Sequence, residues 1–264
     1  MTIEEKLKKI NRFQKRLVKS YPQKEWNAGF LEQVKVDFTY NSNRIEGNVL
    51  NYGQTVQLLK EFVTPKNAST GDCLDIVNHK KVLDIVFDEY QAAEFTELNI
   101  KKLHKELMKS PDQWTDSIYY DPGKYKIFEN VTVRPSGKIH AYTDPDDISS
   151  SMSQLLKHVN KQLTEIDELR NHPLAIASDF HFVFLNQIHP FGDGNGRIAR
   201  IFMNLILLKN DFPPIFIRNV DKTIYMKSFE KEEQTPGAML DFMADRLLES
   251  LHAKKQYLKS ASEE

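Results

Sequence analysis

The sequence predicts an all-α fold, a helical bundle that carries one small β-hairpin. Most of the chain repeats apolar residues at the three- and four-residue spacing of amphipathic helices. Only residues 130–142 alternate with the two-residue period of strands, around the turn-forming Pro135 and Gly137. The 264 residues are 40% hydrophobic, so the chain is long enough to bury a substantial core.

The helices are predicted in chain order from their apolar spacing. The first four cover residues 3–17, 31–46, 75–91 and 96–109. The next covers residues 155–169 and places six apolar side chains on one face, Leu155, Leu156, Val159, Leu163, Ile166 and Leu169. Linkers are expected at residues 64–72, 110–123 and 211–215.

Pro173 opens the following helix, since a proline in the first helical turn loses no hydrogen bond. Residues 174–188 are apolar nearly all round, which predicts a central and buried helix. The last two helices are expected over residues 198–210 and 238–258.

The hairpin at residues 130–142 is the exception among these helices. Two strands alone are marginally stable, so the hairpin is expected to pack against the helices. Its free edge offers unpaired backbone groups, to which an extended peptide could add as a further strand. The simpler interpretation is a connecting loop with some strand character.

Composition limits the function classes. The formal net charge of −1 argues against general nucleic-acid binding, which relies on basic surface. The single cysteine, Cys73, allows no internal disulfide and fits a reducing compartment. The charged N-terminal stretch has no apolar signal core, and no apolar run is long enough to span a bilayer. We therefore expect a cytoplasmic protein without a membrane anchor.

Residues 189–200 read HPFGDGNGRIAR and combine a histidine, an aspartate, two arginines and three glycines in twelve positions. Pro190 ends the preceding helix, so His189 lies at a helix end. The glycines let the backbone approach a ligand closely. The loop leads into the N-terminus of the next helix, where backbone N–H groups lack partners and the dipole is positive. Such a loop predicts an anion site, with phosphate as the favoured anion.

The charged residues of this stretch fit the same interpretation. Arg197 and Arg200 are three apart on one helical turn, and arginine grips phosphate through paired N–H groups. Asp193 has no place among anion-binding groups unless it holds a Mg²⁺ ion that bridges to phosphate. His189 can accept a proton. The spacing excludes a Walker loop, an EF-hand and a Rossmann turn. His181, eight residues away, is expected to be a packed helix histidine rather than a zinc ligand.

The stretch resembles the signature of the Fic family, His-Pro-Phe-x-Asp-Gly-Asn-Gly-Arg-x-x-Arg, at every defined position. Residues 123–148 are similar to the flap region of that family, and residues 225–229 to the segment that borders the nucleotide. The resemblance covers about residues 95–250. It implies a Fic-type helical bundle with the active loop between two central helices. We accordingly divide the chain into an N-terminal helical region, 1–90, and a Fic core, 91–264.

The resemblance also implies a reaction, the transfer of AMP from ATP to a Ser, Thr or Tyr hydroxyl of a target protein. His189 would deprotonate the hydroxyl, and Asp193 would hold Mg²⁺ against the α- and β-phosphates. Arg197 would hold the β-phosphate end and Arg200 the γ-phosphate, while Tyr225 would border the nucleotide. The phosphates would lie against the backbone amides of three residues, Gly194, Asn195 and Gly196.

The resemblance assigns the hairpin as a flap that aligns the target by strand addition. The docking residues would be Val131, Thr132 and Val133. Two departures bear on this assignment. Lys126 stands where the family often has Arg, and residues 142–147 lack the proline pair that many members have after the hairpin.

Glu46 closes a predicted helix next to Gly47, a candidate C-terminal cap. The helix dipole disfavours a carboxylate there, although a solvated glutamate at a helix end is common. Ser42 and Glu46 are four apart and resemble the inhibitory motif Ser/Thr-x-x-x-Glu followed by Gly or Asn. In members with this motif, the glutamate pairs with the second arginine of the active loop, here Arg200, and blocks the γ-phosphate position.

The resemblance therefore implies a self-inhibited protein adenylyltransferase that uses Mg-ATP, of the subclass with an N-terminal inhibitory helix. Its partner would be a target protein that presents a hydroxyl side chain, with no nucleic acid and no membrane, and a homodimer is left open. Three alternatives remain at this point. They are a hydrolase that removes AMP with Glu46 orienting the water, a regulatory nucleotide-binding module with little turnover, and the toxin half of a toxin–antitoxin pair. The built-in inhibitory segment argues against the toxin.

Overall fold

The computed structural model describes residues 1–21, 24–110 and 121–263. These residues form ten α-helices and one two-stranded antiparallel sheet. The helices are α1 (Ile3–Ser20), α2 (Lys24–Ile45), α3 (Tyr52–Val56), α4 (Thr70–Asp88), α5 (Glu97–Leu107), α6 (Ile148–Thr164), α7 (Pro173–Phe182), α8 (Asn195–Lys209), α9 (Lys222–Gln234) and α10 (Ala238–Glu263). The strands are β1 (Val131–Val133) and β2 (Ile139–Ala141). The predicted all-α class with one hairpin is confirmed.

Short segments of other helical types extend two of the helices. A π-helical segment, Gln57–Glu61, continues α3, and a second, Val183–Ile188, continues α7. Single 3₁₀ turns, Pro145–Asp147 and Asn219–Asp221, lead into α6 and α9. No helix in the described ranges combines the length and apolar character that membrane crossing requires.

The sequence-based assignments differ from the structure in several places. α2 begins at Lys24, before the predicted start at residue 31, and α4 begins at Thr70, inside the predicted linker 64–72. The helix predicted at 155–169 runs instead over Ile148–Thr164, because its serine-rich first turns carry little apolar signal. α3 was not predicted, since its five residues are too few to show a period. α9 was not predicted because its buried stripe is narrow, with Tyr225, Ser228 and Phe229 as its buried residues. Of the predicted linker 110–123, residues 111–120 lie outside the described residues.

α7 and α8 form the centre of the bundle. Every residue of α8 from Asn195 to Leu208 is buried, including the charged residues Arg197 and Arg200. α7 packs against α8, α6 and α10. The active loop, residues 189–194, joins α7 and its π-helical extension to α8, so the candidate site rests on the buried centre of the bundle.

α2 packs against α4, α8 and α10. The ammonium of Lys35 is fully buried and forms ion pairs with Asp84 and Asp88 of α4 at 3.0 and 2.8 Å. Phe38 is buried against Phe87, with ring centroids 6.3 Å apart. The helix that ends near Glu46 is thus an integral part of the bundle. The boundary between residues 90 and 91 stays a prediction.

The hairpin packs against the helical body, as its small size requires. Its register pairs Val131 with Ala141 and Val133 with Ile139. Next to β2, the backbone N–H of Thr143 donates to the carbonyl of Gln187 at 2.9 Å. The turn is held to α9 by three contacts, Arg134 to Glu233 at 2.6 Å and the hydroxyl and backbone N–H of Ser136 to Glu230 at 3.0 and 3.2 Å. The hairpin is therefore preformed.

Candidate active site

The backbone of the active loop begins and ends in the left-handed region. His189 has φ +50° directly after the π-helical segment, and Pro190 prevents the helix from continuing. Gly194 has φ +76° directly before α8. A Cβ at Gly194 would lie 2.8 Å from the Sδ atom of Met108, so glycine is required for both its conformation and its lack of a side chain.

Asn195 holds the loop closed with its side chain. Its Oδ1 accepts from the backbone N–H of Phe191 at 2.9 Å, and its Nδ2 donates to the carbonyl of the same residue at 2.8 Å. The ring of Phe191 is fully buried. The loop leads directly into α8, whose first backbone N–H groups have no acceptor within the helix.

His104 of α5 packs against the loop, and no pattern in the sequence indicated this role. Its ring stacks on Phe191 with centroids 3.7 Å apart and an interplanar angle of 7°. Its Nδ1 accepts from the backbone N–H of Gly123 at 2.8 Å, so the proton lies on Nε2 and donates to the carbonyl of Asp193 at 2.9 Å. Burial lowers the pKa of His104 to about 4, which keeps this neutral form.

His189 presents an unprotonated nitrogen. Its Nδ1 lies 2.9 Å from the carbonyl oxygen of Leu185, and a carbonyl can only accept. The proton of the neutral ring is therefore on Nδ1, and Nε2 keeps its lone pair for proton transfer. Burial lowers the pKa of His189 to about 4.

Asp193 offers a single carboxylate at the surface of the loop. Its side chain is 65% exposed, and its Oδ2 lies 3.5 Å from the guanidinium of Arg197. No group of three or more His, Cys, Asp or Glu residues that could hold a metal occurs in the described ranges. One exposed carboxylate beside a phosphate cradle fits Mg²⁺, because Mg²⁺ is commonly bound by one or two carboxylates together with substrate phosphates.

Arg197 is buried and tied to the N-terminal region. One of its terminal nitrogens contacts Asp75 of α4 at 2.5 Å, and the other lies 3.4 Å from the Sδ of Met108. Nothing in the sequence singled out Asp75. The contact fixes the guanidinium beside the first turn of α8.

Arg200 forms an ion pair with Glu46 at 2.6 Å, and its side chain is only 2% exposed. The same guanidinium donates to the hydroxyl and to the carbonyl oxygen of Ser42, each at 3.0 Å. A Cβ at Gly196 would collide with the carboxylate of Glu46. The carboxylate thus lies against the backbone at the N-terminus of α8, in the position that favours an anion.

The C-terminal cap of α2 places Glu46 at the N-terminus of α8. Gly47 has φ +103°, and its N–H donates to the carbonyl of Arg44 at 3.2 Å, while the N–H of Asn48 donates to that of Asn43 at 3.0 Å. These two hydrogen bonds define a Schellman cap, which turns the chain away and leaves Glu46 at the helix end.

Tyr225 is buried beneath the loop. Its hydroxyl lies 2.7 Å from Nε2 of His181, and both side chains are almost fully inaccessible. The prediction that His181 is a packed helix histidine is confirmed. Contact between Tyr225 and a nucleotide stays a prediction.

Lys126 lies between the flap and the loop. Its backbone N–H donates to the carbonyl of Pro190 at 2.9 Å, and its ammonium donates to Oδ1 of Asn130 at 2.5 Å. Burial lowers the pKa of Lys126 to about 8. Where the Fic family often has arginine, this chain therefore has a lysine of lowered pKa close to His189.

Among the residues that the structure describes, β2 is the only strand that pairs with β1, which leaves the outer edge of β1 without a partner strand. The ladder is marked by two hydrogen bonds, Arg134 N–H to Lys138 O at 2.9 Å and Tyr142 N–H to Asn130 O at 3.4 Å. Because such pairs alternate along an antiparallel ladder, Thr132 faces β2, whereas the N–H groups of Val131 and Val133 point away from it. Both valine side chains are exposed. This arrangement is compatible with strand addition, and the docking role of these three residues stays a prediction.

Residues 94–207 match the model of the Fic/DOC family. A protein adenylyltransferase Fic from Nematostella vectensis is 28% identical over 208 residues, which cover 74% of this chain and 42% of that relative. The protein of the same name from Culex quinquefasciatus is 28% identical over 194 residues, with 74% and 36% covered. The chain thus spans less than half the length of these curated relatives.

Solved structures share the fold. A Fic-domain-containing signaling protein from Bacteroides thetaiotaomicron superposes with a TM-score of 0.83 at 27% identity and covers 97% of both chains. Fic-1 from C. elegans has a TM-score of 0.76 at 18% identity, with 97% of this chain and 71% of that chain covered. The chain therefore has the same overall fold as these structures.

Proposed function

We propose that the protein transfers AMP from Mg-ATP to a Ser, Thr or Tyr hydroxyl of a target protein, and that Glu46 restrains this activity. The match of residues 94–207 to the Fic/DOC family model supports the proposal. The main support for this proposal is that one loop brings two features together. His189 is a base with a free lone pair on Nε2, and the N-terminus of α8 favours an anion.

The chemistry follows from this arrangement. Nε2 of His189 takes the proton of the target hydroxyl while the hydroxyl oxygen forms a bond to the α-phosphorus of ATP. The bond from the α-phosphorus to the oxygen that bridges to the β-phosphate breaks, and pyrophosphate leaves. A Mg²⁺ ion held by Asp193 would neutralise charge on the phosphates. The N-terminus of α8 and the guanidinium of Arg197 stabilise the negative charge that moves onto the leaving group.

Restraint follows from competition for Arg200. Its guanidinium now serves Glu46 and Ser42, and the carboxylate occupies the anion position at the N-terminus of α8. A γ-phosphate needs the same cation and the same space. ATP can lie in line for transfer only after the Glu46 carboxylate has moved, so the closed arrangement lowers turnover.

One observation favours a second activity, the hydrolytic removal of AMP from a modified protein. The Glu46 side chain is 37% exposed, and its ion pair to Arg200 engages Oε1. The remaining carboxylate surface could orient a water molecule toward a phosphorus atom held in the loop. Under this alternative Glu46 is required for activity instead of opposing it.

Labelled ATP tests these functions. The protein, its Glu46→Gly variant and its His189→Ala variant would be incubated with ATP labelled at the α- or the γ-phosphate. Label from the α position on protein, strongest in Glu46→Gly and absent in His189→Ala, is the expected result. Label from the γ position alone would indicate a kinase, and neither label would indicate a nucleotide-binding module. Loss of AMP from a modified protein by wild type but not by Glu46→Gly would support the hydrolase.

A trapping experiment would identify the target. Glu46→Gly protein and an alkyne-tagged ATP analogue would be added to a lysate, and the tagged proteins would be captured. His189→Ala added to Glu46→Gly is the matched control, because it retains the phosphate cradle and loses the base.

A further inference from the structure

Tyr142, one residue past β2, covers the ring of His189. The two rings are nearly parallel, with centroids 4.0 Å apart and an interplanar angle of 21°. Tyr142 itself is half-buried, and burial raises the pKa of its hydroxyl, so the ring is the neutral phenol. An aromatic ring stacked on the base is a contact that neither the loop signature nor the spacing of the sequence indicates.

The stack completes the orientation of His189. The hydrogen bond from Nδ1 to the Leu185 carbonyl fixes one point of the imidazole ring. One such bond leaves the ring free to pivot about the N–H···O axis. A parallel ring at 4.0 Å blocks that pivot. With both contacts present, the lone pair on Nε2 has a single direction.

The stack also favours the protonated form of the base. When His189 takes a proton it becomes a cation in a buried place, which is unfavourable. The face of an aromatic ring carries negative charge density and attracts a cation above it. Tyr142 therefore stabilises the imidazolium that forms during transfer more than it stabilises the neutral ring.

The flap and the base share this residue. The ring of His140, inside β2, lies edge-on to Tyr142 at 5.1 Å, and its Nε2 hydrogen-bonds the carbonyl of Asn186 at 2.6 Å. Beyond Tyr142, the hydroxyl of Thr143 donates to the carbonyl of Gln187 at 3.1 Å. The end of β2 is thus attached on both sides of Tyr142 to the segment that leads into His189.

We infer that Tyr142 is a positioning residue of the flap, which aligns the imidazole of His189 for proton transfer and stabilises its protonated form. The inference rests on the proposed AMP transfer.

Two substitutions separate the ring from the hydroxyl. Tyr142→Phe keeps the aromatic face, and Tyr142→Leu removes it with little loss of apolar volume. Both are made in the Glu46→Gly parent, where turnover is expected to be higher than in wild type. We expect Tyr142→Phe to retain kcat and Tyr142→Leu to lower it about 10- to 100-fold, with the KM for ATP unchanged in both. Tyr142→Met replaces Tyr142→Leu if a thermal melt shows that the leucine variant is unfolded.

A spectroscopic measurement tests the stack without reference to turnover. Protein labelled with ¹³C-histidine gives ring-proton resonances, and His189→Ala assigns those of His189. We expect these resonances to be shifted upfield by the Tyr142 ring current in the parent and in Tyr142→Phe, and to lose the shift in Tyr142→Leu.

Equal kcat in Tyr142→Leu and the parent, an equal fall in Tyr142→Phe, or an absent ring-current shift would overturn the inference. A parent that transfers no AMP would overturn the proposed function. The resonances of His189 would then decide alone whether Tyr142 fixes the ring.

Discussion

At the residue scale, burial sets the pH range in which His189 can act. Its pKa is lowered to about 4, so the neutral form that accepts a proton predominates at pH 7. We expect kcat/KM of the Glu46→Gly variant to show no loss from this group between about pH 6 and pH 8, and to fall below about pH 5 as the ring becomes protonated. A pH–rate profile checks this. A fall centred near pH 6.5 would mean that the base is solvated in the working enzyme.

The left-handed backbone of Gly47 leads to a prediction about stability. Its φ of +103° costs an L-residue strain, and a Cβ there would meet no atom within 4 Å, so Gly47→Ala adds backbone strain alone. We expect a loss of about 1 kcal/mol in the free energy of unfolding, measured with urea. Gly53→Ala in α3 is the control, because Gly53 has a helical backbone. Equal stability of Gly47→Ala and wild type would show that the cap adapts.

The site residues that could be predicted from residue chemistry alone lie close together in the sequence. His189, Asp193, Arg197 and Arg200 lie within twelve positions, so they could be recognised as one site before the fold was known. His104 lies 89 positions from Asp193, and Asp75 lies 122 from Arg197. Each looks like an ordinary helical residue in the sequence. Only the packing of α4 and α5 on the loop gives them a role.

At the element scale, the open edge of β1 leads to a prediction about targets. Val133→Pro removes an N–H that points away from β2, so the hairpin ladder should survive. We expect modification of a protein target to fall about tenfold or more, with ATP affinity unchanged. Val133→Ala, which keeps the N–H, is the matched control. An equal loss of ATP affinity in Val133→Pro would indicate a distorted site instead of lost docking.

Helices could be predicted from the sequence where apolar residues recur at helical spacing over several turns. Helices without that recurrence were not predicted. α8 and α10 show such a period over many turns. α3 exists because Asn51 and Gln54 cap each other's backbone N–H groups, and α9 because three side chains bury under α10. Neither cause leaves a periodic signal. The ion pair between Glu46 and Arg200 was expected only through a family resemblance, since 154 positions separate the two residues.

At the scale of the whole molecule, buried histidines make the fold acid-sensitive. Burial lowers the pKa of His79, His172 and His181, and all three are fully inaccessible. Below their ordinary value of 6.5 the unfolded chain binds protons that the folded chain does not. The free energy of unfolding should therefore decrease as the pH falls from about 6.5 toward 4, by up to about 1.4 kcal/mol per pH unit for each histidine.

Urea unfolding between pH 8 and pH 5 measures this slope. His172→Asn is the matched variant, because asparagine can accept the same capping hydrogen bond at the start of α7 that His172 Nδ1 accepts from Leu174. His172→Asn should reduce the pH dependence of the free energy of unfolding by the contribution of one histidine, up to about 1.4 kcal/mol per pH unit. A pH-independent stability over this range would mean that these rings gain partners when protonated.

Glu46 joins the end of α2 to α8 through its ion pair with Arg200. If the closed arrangement is favoured by about 3 kcal/mol, fewer than about one molecule in a hundred is competent, and Glu46→Gly should raise AMP transfer by one to three orders of magnitude. Because Glu46 competes for Arg200 at the γ-phosphate end, the substitution should increase the thermal stabilisation by ATP and leave that by ADP unchanged.

The controls for Glu46→Gly follow from the same contact. Glu61→Gly places the same change at another exposed helix end and should have no effect on transfer. Arg200→Ala added to Glu46→Gly should lose most of the gain, since the cation itself is then absent. Glu46→Gln keeps the size and removes the charge, so an intermediate rate is expected. An unchanged transfer rate in Glu46→Gly, with His189 still required, would leave the Glu46–Arg200 ion pair as a structural contact between α2 and α8.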